Sequence, residues 1–201
     1  MLLGVLVILG GITNITVFSQ PVTPTPATNF FTAIFILLGG ILLRAFYYVT
    51  MGEKQHVSTI KMMVVTCLLL MIAFPLTAEY FFNLDTGLLN VGHVALDESE
   101  SSIPSIGSLI ATWLLFFMGF FASIGMSVSK TARGVGMLLL VVGGIALLGY
   151  VINAPTLYFL SGKSMGMSLH AAAGFSLLGY FFLLLGIRPH VSGQPIREEK
   201  K

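Results

Sequence analysis

Apolar residues run almost unbroken through six stretches of this chain, and short polar segments separate them. The stretches extend from Leu2 to Phe18, Phe30 to Thr50, Thr59 to Asn83, Ile106 to Val128, Gly134 to Asn153 and Met165 to Ile187. Each is near the length at which a helix crosses a hydrocarbon core about 30 Å thick. The pattern predicts an all-α polytopic membrane protein: one domain of six transmembrane helices over residues 1–188, then a soluble tail over 189–201. Gly10 and Gly11 interrupt the first stretch. It lacks the positively charged start and the small-residue cleavage site of a secretory signal, so it reads as a retained helix.

Charge gives the stretches a direction. Lys54 lies between the second and third stretches, with Arg44 and Lys61 inside their flanking ends. Lys130 and Arg133 mark the junction of the fourth and fifth, and Arg188, Arg197, Lys200 and Lys201 follow the sixth. The alternate junctions hold only Lys163 among cations, together with Asp85, Asp97, Glu98 and Glu100. Cytoplasmic loops retain Lys and Arg, so both termini are expected in the cytoplasm and the acidic loops outside. The expected location is a bacterial inner membrane.

Composition narrows the function classes. Charged residues make up 9% of the chain and hydrophobic ones 56%, whereas a soluble domain is about a quarter charged. A net charge of +2 reflects topological anchors, not a basic face, so no nucleic-acid partner is expected. The single cysteine, Cys67, lies within the third stretch and reads as a small apolar side chain. No nucleophile elbow, zinc-binding helix or phosphate-cradling loop is present, so no enzyme activity is expected. The glycines cluster inside the stretches, at Gly39-Gly40, Gly143-Gly144 and Gly174, where small residues let membrane helices pack closely. A haem or metal needs ligands converging at one depth. His56 and His190 belong to the inner rim, His93 to an outer loop and His170 to the start of the sixth stretch. Neither a cofactor nor a metal is expected.

The spans pair into three helical hairpins with outward loops, and their ends are similar. The odd helices finish with Asn14, Glu79 or Asn153, each followed closely by aromatic residues. The even helices begin with small polar residues and run to a glycine: Thr28-Asn29 to Gly39, Ser105 to Gly119, and Ser168-Leu169-His170 to Gly179. This is the signature of an internal triplication.

The segment Ala78-Glu79-Tyr80-Phe81-Phe82-Asn83-Leu84-Asp85-Thr86-Gly87-Leu88, with the helix ending at Gly119, resembles the central hairpin of a six-transmembrane sensor region. Such regions precede PAS, histidine-kinase or diguanylate-cyclase modules in bacterial membrane-bound signalling proteins. The last hairpin is similar, with Asn153-Ala154-Pro155-Thr156-Leu157-Tyr158-Phe159 and Met167-Ser168-Leu169-His170 to Gly179. The first hairpin is similar through Leu37 and Gly39, so the resemblance covers nearly the whole chain. The return helices depart from it in lacking an Asn-Thr-Ala start. No output module follows the sixth stretch, which points to an excised input region or to a relative whose output comes from a partner.

The resemblance implies a sensory input module for a small or membrane-dissolved ligand. Its rivals are a non-catalytic accessory subunit of a larger membrane complex and a small transporter. Expected partners are the lipid bilayer, other membrane or signalling subunits, and a second copy in a homodimer. A ligand site is expected as an outward-facing cleft, where polar groups meet the edge of the hydrocarbon: Asn14, Glu79, Tyr80, Asn153, Tyr158, Ser168 and His170, with Trp113 lower on the wall as an apolar contact. Glu79 carries two readings, a ligand or helix-locking role facing the bundle interior or a wet cavity, or a solvated position among the headgroups.

Overall fold

In the computed structural model the described residues are 28–52, 55–82, 84, 104–158 and 166–187, together with Val5 and Leu9. They form five long helices: α1 Phe30–Thr50, α2 Gln55–Phe82, α3 Ile106–Ser123, α4 Val128–Val151 and α5 Leu169–Ile187. A single 3₁₀ turn, Pro155–Leu157, follows α4. No strand occurs among the described residues. All five helices are long and apolar enough to cross a membrane, which supports a multi-pass membrane protein. Val5 and Leu9 are helical and exposed; the rest of the first expected span, Asn14 included, lies outside the described residues, as do the acidic loop and the C-terminal tail.

The helices stop and start for local reasons. In α3 the carbonyls of the last turn are closed by Met126 N–H to Phe121 O (3.1 Å) and Gly125 N–H to Ala122 O (3.3 Å), with Gly125 at φ +89. This is a Schellman ending, in which a left-handed residue reverses the chain. The fourth stretch therefore ends at Ser123 and not Val128, and Val128 opens α4. An identical ending closes α4, with Ala154 N–H to Gly149 O (2.8 Å) and Asn153 N–H to Tyr150 O (3.3 Å). Here the left-handed position, φ +54, is held by Asn153, a residue type that tolerates it.

The small polar residues that begin the even spans are caps. The Asn29 side chain accepts from Phe31 N–H (2.9 Å), Ser105 Oγ from Ser108 N–H (3.2 Å) and Ser168 Oγ from Ala171 N–H (3.2 Å). Each satisfies an amide that hydrocarbon would leave without a partner. Deeper hydroxyls bond back along their own helices, Thr66 to Met62 O (2.7 Å) and Thr112 to Ser108 O (2.7 Å). Polar side chains are thereby buried in an apolar bundle at little cost.

Helix α1 is the hub: 61% of its most apolar 18-residue stretch is buried, against 33% for α2 and for α4. It packs in parallel with α5, where Phe46 meets Phe182 edge-on at 5.6 Å and Ile36 fills the space beside Gly174. It also runs parallel to α3, where Leu115 lies against Gly39. Helix α2 runs antiparallel to α3, with Thr66 against Gly119. The starts of α1, α3 and α5 and the finishes of α2 and α4 therefore share one end, hereafter the Glu79 end. The opposite end carries Arg44.

The most intimate pair is α4 with α5. Small residues recur every seven positions, at Ser129, Gly136 and Gly143 on one helix and at Ala172, Gly179 and Gly186 on the other. A Cβ built on Gly179 would stand 2.5 Å from Leu140 N and 2.7 Å from Gly136 O, and one on Gly143 would stand 2.7 Å from Ser176 N. The two backbones are in direct contact. A seven-residue repeat keeps such a seam aligned along a left-handed pair.

Candidate functional site at the Glu79 end

Helix α2 carries Glu79 one turn before its finish at Phe82. The residue is 4% exposed, so it is buried within the protein. Burial follows from register: Leu69, Ala73 and Leu76 form the buried stripe of α2, and Glu79 continues it at a spacing of three. Ionisable groups inside membrane bundles are costly and are kept where they meet protein or a wet cavity. Tyr80 beside it is half-buried against the core, its ring edge-on to Phe81 at 5.1 Å.

Below Glu79, the helix contains Pro75, which has no N–H to give to the preceding turn. Thr77 donates its hydroxyl to Ala73 O at 2.6 Å and accepts from the Trp113 indole N–H at 2.9 Å. Trp113 was expected as an apolar contact; it also makes a polar bond that ties α3 to α2. The ring packs on Phe116 at 5.5 Å.

A second group gathers where α5 meets α1 and α4. Thr28 Oγ1 and Ser168 Oγ are 2.7 Å apart, both residues being 3% exposed. His170 Nδ1 lies 3.5 Å from the same Thr28 oxygen, at the edge of hydrogen bonding. Beside them the Tyr150 hydroxyl donates to Met167 O, and Tyr158 stacks on Tyr150 with centroids 4.2 Å apart and planes 7° from parallel. A small cavity of about 110 Å³ lies next to this stack, bounded by Gly107, Ala146, Tyr158 and Met167.

Of the expected site residues, Ser168 and His170 are thus joined through Thr28, with Tyr158 adjoining them through Tyr150 and Met167. Glu79 and Tyr80 lie near the finish of α2, and Trp113 is tied to that helix through Thr77. Asn153 is exposed and serves the turn that ends α4, a role that an amide at a helix end does not announce. Tyr150 was missed: in sequence it is one more aromatic residue in an apolar run, and only the fold brings Met167 O to it. No group of three metal-ligating side chains occurs among the described residues.

Comparison with protein-family models, with curated proteins and with solved structures finds no match for this chain.

Proposed function

We propose that this chain is the transmembrane sensory input module of a bacterial signalling system, sensing a small or membrane-dissolved ligand. In this reading it sits in the inner membrane as six spans in three repeated hairpins, with both termini in the cytoplasm. The observation that carries it is the burial of Glu79, the one acidic residue among those described. A carboxyl group kept inside an apolar membrane bundle is expensive, and such groups mark functional positions. The Thr28–Ser168–His170 group supplies a further set of donors at the same end. The α4–α5 pair carries the change across the membrane. Its far end is fastened by Ser129 Oγ (2.7 Å) and Arg133 Nη2 (2.9 Å), both donating to Gly186 O.

The test starts with the purified chain in mild detergent and mass spectrometry of what co-purifies with it. Compounds identified there are then added back while thermal unfolding is followed. A ligand raises the midpoint of the wild type and loses that effect in Glu79→Gln, while Glu98→Gln in the acidic loop responds like the wild type. Equal responses in all three remove Glu79 from the site. A second reading, a non-catalytic accessory subunit, draws on α2 and α4, in each of which only 33% of the most apolar 18-residue stretch is buried within the chain. It predicts a stable complex with other membrane subunits on gentle extraction from the native membrane.

A further inference from the structure

At the Arg44 end a groove of about 390 Å³ opens between α1 and α2. Its walls are apolar, formed by Leu38, Ile60 and Leu68 among others, and its polar members are Arg44, Tyr48 and Lys61. Arg44 lies six residues before the finish of α1 at Thr50, and Lys61 six residues after the start of α2 at Gln55. At 1.5 Å per residue each is set about 9 Å inside its helix end, so the two cations share one depth. Both are exposed; Glu53, in the connection between α1 and α2, lies outside the described residues, and the acidic residue within them, Glu79, is at the opposite end. The Arg44 guanidinium is steered along α1 by Tyr48, with Nη2 3.4 Å from the hydroxyl and the carbon centre 5.7 Å from the ring centroid. Two cations inside the apolar length of neighbouring helices are an expensive arrangement in a membrane. A bound anion at that depth offsets it, and guanidinium with ammonium is a donor set suited to phosphate.

We infer that this groove is a binding site for an anionic phospholipid, its phosphate between Arg44 and Lys61 and an acyl chain along Leu38, Ile60 and Leu68. The apolar wall distinguishes it from a site for a free anion, and the paired cations distinguish it from a general lipid-facing furrow.

Native mass spectrometry of the full chain, incubated with phosphatidylglycerol or with phosphatidylcholine of matched acyl chains, tests the site. Each juxtamembrane cation favours an anionic lipid by about fivefold, so two give a preference of roughly twenty-five-fold. Arg44→Gln or Lys61→Gln each lowers the preference about fivefold, and the double variant removes it. Lys130→Gln, outside the groove, leaves it unchanged. Leu68→Trp keeps both charges and obstructs the wall, so it lowers retention of phosphatidylglycerol, and this arm stands even where the charge variants fail to fold. Equal retention of the two lipids by the wild type overturns the inference, as does a preference that survives the double variant. Displacement of the lipid by inorganic phosphate also overturns it, in favour of an anion site. Cross-linking of residues 1–27 to a cysteine placed by Val64→Cys, without lipid uptake, overturns it in favour of the chain's own segment.

Discussion

Replacing Gly179 with alanine adds one methyl group at the point where α4 and α5 touch backbone to backbone. The new Cβ would meet Leu140 N at 2.5 Å, Gly136 O at 2.7 Å and Leu139 C at 3.0 Å. Ordinary contact begins at 3.4 Å, so the nearest atom is 0.9 Å too close (3.4 − 2.5). All three obstacles are main chain and cannot rotate away, so the helices must separate locally. Forcing a methyl group into a close-packed site costs about 1–3 kcal/mol, and backbone obstacles put this case near the upper limit. A radial gap of 0.5–1 Å forfeits a quarter to a half of each dispersion contact, and the contacts at Gly143 and Gly186 sit on the same seam. Opposing this, alanine is favoured over glycine within a helix by about 1 kcal/mol. The net loss is about 2 kcal/mol, a factor of roughly 30 in the folding equilibrium. Gly144→Ala, on the facing helix α4, is the control. A Cβ there meets nothing within 4 Å, so the substitution is neutral or stabilising by up to about 1 kcal/mol. Reversible unfolding in mixed micelles, followed by helical circular dichroism, measures both. A Gly179→Ala protein as stable as the wild type would refute direct backbone contact along this seam.

Two further predictions concern other parts of the bundle. Trp113→Phe and Thr77→Val each lose the bond between α3 and α2 and cost about 0.5–1.5 kcal/mol; a double-mutant cycle shows coupling of about 0.6 kcal/mol, and zero coupling would mean the bond adds nothing. With Cys67→Ser as background, a cysteine placed by Glu98→Cys reacts with an impermeant thiol reagent added from outside, and one placed by Lys130→Cys does not; reversed labelling would overturn the charge-based orientation.

The five described spans were legible because a membrane helix must be apolar over its whole length, and α1 Phe30–Thr50 coincides with its stretch. The other boundaries moved where polarity and helix formation part company. Ser129, Lys130 and Thr131 look like loop by hydropathy, yet they form the first turns of α4, with Ser129 and Arg133 bonded to Gly186 O. The polar starts of the even spans were visible as a pattern, but their role as caps depends on main-chain amides that hydropathy does not register. Glu79 stood out in the sequence, whereas its burial did not, because a carboxylate near a span end is equally consistent with headgroup water. The pairing of Gly136 and Gly143 with Gly179 and Ala172 was beyond reach for another reason. Glycines occur in several spans, and only the three-dimensional arrangement decides which of them meet.

Helix α2 holds Lys61 and Glu79 eighteen residues apart, which is five full turns of an ideal helix and about 27 Å along its axis. In an ideal rod two side chains so spaced leave in one direction; here Glu79 is buried and Lys61 exposed, so the surroundings of α2 change between its two extremities. Turning α2 about its own axis moves both at once: as the carboxyl group swings out of the bundle, the ammonium group swings through the same angle relative to Arg44. Pro75 interrupts the rod four residues before Glu79, and a bend there uncouples the short arm from the long one. A helix continuous through Pro75 would pass such a turn whole from Glu79 to Lys61, and one that bends there would not.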